Sequence, residues 1–231
     1  MSTISIVIPA CNQADYLEDS LESAYNQTVQ AHEIIVVNDG STDDTQEIAE
    51  RYMFKEFPGI ESPVRVINQV NKGLPSARNT GIMAATGDYV LMLDSDDMLM
   101  ENAVERFTQE ICQTQADIIA PSFQEFGKSD RQVIIGGFTM DDLKAANRLG
   151  YFCCFKRSAL IGVGGYNPKM KWGWEDYDLL FDLFKRGKSI VVLQEMLVRY
   201  RVKDKSMIHE ANRHANELWD QIRSNHPQIF A

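Results

Sequence analysis

Apolar and polar positions along this chain fall into blocks. Short apolar runs recur, each closed by Gly, Pro, Asn or Asp, and between them apolar residues return at helical spacing. Residues 4–8 form the first run, ended by Pro9. Asn12 or Asp15 can cap the next helix, whose Leu17, Leu21, Ala24 and Tyr25 share a face. Residues 33–37 read as a second strand that stops at Asn38-Asp39-Gly40-Ser41. Ser41 with Asp44 resembles a capping box before a helix that turns Ile48, Ala49 and Tyr52 inward. Residues 64–67 read as a third strand, 76–84 as a helix and 89–93 as a fourth strand. Strands alternating with helices imply right-handed crossovers and a parallel sheet covered on both faces. Ligands of such sheets sit beyond the carboxyl ends of the strands.

The second half is less regular. A helix is predicted over 99–112, with Val104, Phe107 and Ile111 inward, and strands over 117–120 and 151–155. Residues 122–137 mix strand and turn signals and carry no assigned order. A short helix to Ile161 and a Gly162-Val163-Gly164-Gly165 turn follow. After Trp172-Gly173-Trp174-Glu175-Asp176-Tyr177-Asp178 a helix runs to Arg186, then strands over 190–193 and 196–202, then a polar helix over 206–224. With no linker in view, one domain is expected over 1–231: a nucleotide-binding half 1–97, an acceptor-side half 98–205 and a C-terminal helix 206–231.

Composition narrows the function. At 231 residues and 44% hydrophobic, the chain can bury a full core. A net charge of −10 disfavours nucleic acid and anionic membrane surfaces but not a nucleotide. No signal-peptide pattern and no apolar run of membrane-spanning length is present. Cys11, Cys112, Cys153 and Cys154 lack metal-ligand spacing and read as buried free thiols of a reducing cytoplasm. Cys153 and Cys154 would point to opposite sides of a strand.

The densest chemistry is Leu91-Met92-Leu93-Asp94-Ser95-Asp96-Asp97. Asp94 and Asp96 would share a face if the chain stays extended. Adjacent carboxylates raise each other's pKa unless a cation lies between them, and hard oxygen ligands at a strand end suit Mg²⁺ or Mn²⁺. The rival reading is a helix N-terminus capped by Asp96 or Asp97.

In family order, Val7-Ile8-Pro9 with Asn12, the run Glu33 to Asp43, Asn71-Lys72-Gly73 with Ala77-Arg78-Asn79, Gly87-Asp88 to Asp97, Gly164-Gly165-Tyr166 and Trp174 to Leu179 resemble the inverting nucleotide-sugar glycosyltransferases of family 2. The resemblance covers Ile4 to about Ser206. It implies the GT-A fold, a Rossmann-like and mostly parallel α/β sheet flanked by helices, with a smaller antiparallel part completing the cleft. It implies transfer of a sugar from a nucleotide diphosphate, expected to be UDP, to a hydroxyl acceptor, expected to be a saccharide. By the same resemblance Asp39 accepts from the base, Pro9 and Ala10 line base or ribose, and Arg78 serves the diphosphate or the metal loop. Asp94 and Ser95 fall at the ribose or the metal water, and Asp96 binds Mn²⁺ or Mg²⁺. Asp176 is the expected general base, Glu175 is expected to hold the acceptor or Arg or to serve as the alternative base, and Trp172 and Trp174 are candidate sugar platforms or loop anchors.

One position departs from the family pattern. Where family members commonly carry Tyr-Arg-x-His, this chain reads Tyr200-Arg201-Val202-Lys203. A protonated lysine cannot ligate a metal but can hold a diphosphate. Either carboxylates and phosphate suffice for the metal, or His209 moves in, or metal dependence is weak. Rival functions are an inactive nucleotide-sugar-binding module, kept open by Lys203, and a nucleotidyltransferase or an aspartyl phosphatase. Pro9-Ala10-Cys11-Asn12-Gln13 is not a Gly-rich basic loop, and no Thr follows Asp96-Asp97-Met98, so the last two are disfavoured. Cytoplasmic location is expected, with the inner membrane face as a peripheral alternative, and a homodimer is compatible with the sequence.

Overall fold

β-Branched and aliphatic runs build the sheet, and amphipathic segments cover it. The computed structural model describes residues 2–55, 63–204 and 206–230, so the predicted ends at 1, 205 and 231 lie outside the described residues. In chain order the elements are β1 Ile4–Ala10, α1 Leu17–Tyr25, β2 Glu33–Asp39, α2 Thr45–Met53, β3 Val64–Gln69, α3 Leu74–Ala84 and β4 Tyr89–Met92. Then come β5 Met98–Leu99, α4 Ala103–Thr114, β6 Ile118–Gly127, β7 Gln132–Val133, α5 Met140–Ala145, β8 Cys154–Lys156 and α6 Arg157–Val163. The last are α7 Glu175–Lys185, β9 Ile190–Val202, α8 Met207–Arg213, α9 Ala215–Asn225 and a 3₁₀ turn at Pro227–Ile229.

The strands join in the order β3-β2-β1-β4-β8-β6-β9-β5, with β7 beside β6. β3, β2, β1 and β4 are mutually parallel. β8 runs antiparallel to both β4 and β6, and β6 pairs in parallel with β9. The predicted α/β class, mostly parallel with an antiparallel part, is the class observed. The chain leaves β1 for β2 and β3, then returns to the other side of β1 as β4. That reversal opens a crevice at the carboxyl ends of β1 and β4, where such sheets take ligands.

Alternation decides which layer each side chain joins. Ile6, Ile8, Ile34, Val36, Leu91 and Cys154 pack into one layer; Val7, Ile35, Val37, Val90 and Cys153 pack into the other. The adjacent cysteines therefore point to opposite faces, as expected. On the second face α3 lies so close to β1 that a Cβ at Gly81 would strike the side chain of Val7.

Several boundaries differ from the expectations, each for a tertiary reason. Pro9 does not end β1, because the strand continues to Ala10 in register with Asn38. Asn12 sits at φ 53 and caps nothing; its Oδ1 accepts from the backbone N–H of Thr42. Ser41 makes no capping box; its Oγ accepts from the N–H of Asn12, and α2 begins after Asp44 with no side-chain cap bond. Residue 99, expected to begin a helix, lies instead in β5, because Met98 and Leu99 pair with Arg199 and Val198 of β9. The two late strands are one, β9, whose irregular register sits opposite Pro121, Ser122 and Phe123. The terminal helix breaks at His214 into α8 and α9. Helix α5 was not foreseen, although Thr139 and Asp142 form a capping box there.

Glu33 fixes the start of this sheet from inside. Its carboxylate accepts from Ser5 Oγ at 2.9 Å, from Thr86 N at 2.7 Å and Oγ1 at 2.6 Å, and from Arg65 Nη1 at 2.6 Å. Burial opposes its charge, but the bonds from Thr86, Ser5 and Arg65 outweigh burial and hold its pKa down to about 2. Stability from the ionised form is complete above the ordinary value of 4.5 and is lost as pH falls toward the folded value. Glu33→Gln is therefore expected to cost about 1–3 kcal/mol near neutral pH. That appears as a lower melting temperature, at roughly 2–4 °C per kcal/mol. The gap from the natural chain should narrow steadily in melts taken below pH 4.5; a gap independent of pH would refute the assignment.

Candidate active site

The crevice between β1 and β4 is lined by an acidic turn. Leu93 N–H still donates to Val7 O, after which Asp97 N–H folds back onto Asp94 O at 3.1 Å. The chain is therefore not extended across Asp94 and Asp96, and they do not share a strand face; a turn presents them instead. Asp94 Oδ1 accepts from Arg78 Nη2 at 2.8 Å, while Asp96 Oδ2 pairs with Lys203 Nζ at 2.5 Å. Ser95 is buried between them. Asp97 is not a helix cap, since α4 starts only at Ala103. It is 1% exposed and accepts from the N–H of Arg201 at 2.6 Å and from the Tyr151 hydroxyl.

Arg78 is the centre of the arrangement. Helix α3 carries it into the interior, where it is 1% exposed. Its fork divides: Nη2 donates to Asp94 and Nη1 to Glu175. The rings of Tyr151 and Tyr166 lie 5.0 Å and 5.2 Å from the guanidinium carbon. Burial opposes the charge, but Asp94 and Glu175 outweigh it and keep Arg78 more firmly protonated than usual. The Gly164-Gly165-Tyr166 turn is held by Asn79, whose Oδ1 accepts from Tyr166 N–H and whose Nδ2 donates to Tyr166 O, both at 2.7 Å. Gly165 has φ +75, and a Cβ there would collide with Asn79.

Asp94 and Asp176 face this cation from two elements. Burial raises the pKa of Asp94 to about 6, against the opposing pull of Arg78 and with help from Asp96. Asp176, in the first turn of α7, is raised to about 6 by burial and then by Glu175, and Asp94 adds to the shift. Asp176 thus lies within electrostatic reach of the acidic turn. Asp176 Oδ2 accepts from Asn147 Nδ2 at 2.9 Å. Glu175, 5% exposed, is bonded to Arg78, the arginine contact expected as one of its roles. Asn147 and Tyr151 were not singled out from sequence, and their irregular loop carries no pattern that would have marked them.

The remaining predicted residues divide between the crevice and its supports. Asp39 accepts from Gln69 Nε2 at 2.7 Å, Lys72 N at 2.9 Å and Gly73 N at 2.8 Å, so its carboxylate closes the loop ahead of α3. A carboxylate accepts about four bonds, which leaves room for one more. Ala10 ends β1 beside Cys11, whose sulfur accepts from Asn71 Nδ2 at 3.2 Å. Trp172 is half-exposed and stacks on His214, with ring centres 4.3 Å apart. Trp174 packs against Tyr177 and Trp219 and anchors the loop. His209 is exposed on α8.

Among the described residues, Asp178, Asp182 and His226 are the group of acids and histidine whose ligand atoms lie within 4.8 Å of one another. They are already bonded: Asp178 to His226 at 2.9 Å and Asn225 at 2.8 Å, Asp182 to Lys185 at 2.6 Å. The acidic turn is not part of that group. No described helix is long and apolar enough to cross a membrane.

Comparison with known proteins places this geometry. The model of glycosyl transferase family 2 matches residues 5–160. Glycosyltransferase GlyA of Streptococcus pneumoniae is 39% identical over 224 residues, covering 88% of this chain and 31% of that protein. A chondroitin synthase of Escherichia coli is 44% identical over 191 residues, covering 80% of this chain and 27% of its own. The chain thus spans about a third or less of the length of these relatives. The crystal structure of S. aureus TarS 1-349 in complex with UDP-GlcNAc superposes with a TM-score of 0.81 at 19% identity, covering 96% of this chain and 66% of that one.

Removing Arg78 leaves two carboxylates buried without their cation. Arg78→Met should lose about 3–5 kcal/mol in urea unfolding. Adding Glu175→Gln to that variant should recover part of the loss, because one of the two orphaned charges is gone. A single variant within about 1 kcal/mol of the natural chain would show the bridge to be dispensable.

Proposed function

The chain belongs to glycosyl transferase family 2 and has the GT-A fold, and on that premise we propose that it transfers a sugar from a nucleotide diphosphate, UDP by preference, to a hydroxyl of a saccharide with inversion at the anomeric carbon. The observation that carries the proposal is Asp176. It lies in the first turn of α7 within electrostatic reach of Asp94, with its pKa raised to about 6, and none of the cations that hold Asp94, Asp96 and Glu175 is bound to it.

Inverting transfer is a single displacement. The acceptor oxygen forms a bond to C1 as the bond from C1 to the diphosphate oxygen breaks, and the hydroxyl proton passes to a carboxylate. A base that titrates near 6 is ionised at neutral pH yet more basic than an ordinary aspartate, which suits that transfer. Asn147 donates to one oxygen of Asp176, and the backbone N–H of Tyr177 also bonds its carboxylate. Asp39 and the end of β1 bound the pocket proposed for base and ribose, with Pro9 and Ala10 as its floor. Exposed Trp172 is the proposed sugar contact, whereas Trp174 serves as an anchor. Names among the relatives, such as chondroitin synthase, support a saccharide acceptor.

Mn²⁺ or Mg²⁺ on Asp94 and Asp96 would supply positive charge to the leaving diphosphate. As placed, the acidic turn does not fit a divalent ion. Arg78 holds one oxygen of Asp94, Lys203 one of Asp96, and Asp97 is committed to Tyr151 and Arg201.

Asp176→Asn should lower kcat by roughly 10²–10⁴-fold while UDP affinity holds. For the natural chain kcat/KM should rise with pH and level off above about 6, as the protonated fraction of Asp176 disappears. Equal turnover in the variant, or a rate that falls as pH rises through this range, would remove Asp176 as base.

A further inference from the structure

The end of β9 delivers two cations to the acidic turn. Arg201 donates its backbone N–H to Asp97 Oδ1 at 2.6 Å and its Nε–H to the Asp96 carbonyl at 2.7 Å. Its Nη2 pairs with Asp19 at 2.7 Å. Lys203, just beyond the strand, sets its ammonium 2.5 Å from Asp96 Oδ2 and 4.5 Å from the centre of the Tyr16 ring. Arg201 lies over the same ring at 4.9 Å. The backbone beside Lys203 is therefore fixed to the turn by Arg201, and Tyr16 and Asp96 fix its side chain.

A lysine in such a place has capacity to spare. Its ammonium carries three N–H donors. Asp96 takes one, the Tyr16 ring offers only a diffuse attraction, and the side chain retains 19% exposure. Arg78 is buried and already shared by two acids, so it has no equivalent capacity. A fixed cation at the rim is the arrangement that stabilises charge developing on a leaving group without reorganisation.

We propose that Lys203 is the resident cation of the acidic turn: it bonds the donor's diphosphate directly, and nucleoside diphosphate binding does not require a divalent ion. This rests on the sugar-transfer reading above. Asp96 then positions the ammonium, and the diphosphate completes its coordination.

The test is titration calorimetry of the full chain with UDP and with uridine, in EDTA and then in excess Mn²⁺. UDP should bind in EDTA, and Mn²⁺ should change its Kd by less than about threefold. Lys203→Ala should weaken UDP by about tenfold or more while leaving uridine unchanged, and Lys203→Arg should retain most of the affinity. A melting curve for each variant confirms that it is folded. UDP binding that appears only with Mn²⁺ overturns the proposal and leaves the donor reading intact. So does Lys203→Ala binding UDP as the natural chain does, or losing uridine and UDP alike. Failure of UDP, GDP and dTDP to bind under either condition overturns the donor reading itself.

Discussion

A buried guanidinium shared by two carboxylates organises this molecule. Arg78 comes from α3, Asp94 from the turn after β4, and Glu175 from the start of α7. Elements far apart in the chain are therefore held at one point. A buried ion pair adds little over a well-packed apolar contact, but breaking one is costly, because the surviving charges are left in low dielectric. The consequence is geometric constraint rather than net stability. Other contacts serve that constraint: Asp39 ties the loop that starts α3, Asn79 locks the turn bearing Tyr166, and the rings of Tyr151 and Tyr166 flank the cation.

From that centre, environment divides the labour among chemically similar acids. Glu175 and Asp176 are neighbours, yet the helix sends one to Arg78 and the other to Asn147. Asp97, deepest in the turn, is pushed well above its ordinary pKa by burial and then by Asp96, and it holds Tyr151 and the backbone of β9. Asp178, two residues beyond Asp176 in α7, is kept ionised against burial by His226, Asn225 and Asn167. Asp176 combines a raised pKa with hydrogen bonds from neutral partners, the Asn147 amide and the backbone N–H of Tyr177.

The sheet was legible because its inner strands are buried on both faces and so appear as unbroken apolar runs; β1, β2 and β4 are examples. The acidic turn was legible as a cluster of charge where a strand must end. Its geometry was not, since alternation holds only while the chain stays extended and the chain turns at Asp94. Two-residue β5 carries no local signal and exists only because β9 pairs with it. Asn12, Ser41 and Asp97 were drawn toward helix-capping roles by their residue types. In each case a partner distant in sequence offered the bond instead: Thr42, Asn12 and Tyr151 respectively. Asn147 stayed hidden because a lone amide in an irregular loop has no pattern to betray it.

Charge count at the crevice explains why the identity of residue 203 matters. Asp94, Asp96, Asp97, Glu175 and Asp176 crowd a few side-chain lengths, with Arg78 alone buried among them. Such a cluster attracts further positive charge, and a loose ion or a tethered ammonium can supply it. A histidine at the end of β9 would leave that need to a metal. A lysine meets it from within the chain, and Tyr16 and Asp96 hold the ammonium in place before any ligand arrives. A tethered cation also forgoes the freedom of an ion to adjust its coordination as the diphosphate departs. Its contribution then depends on the placement of β9, which Arg201 secures through backbone, guanidinium and ring contacts together.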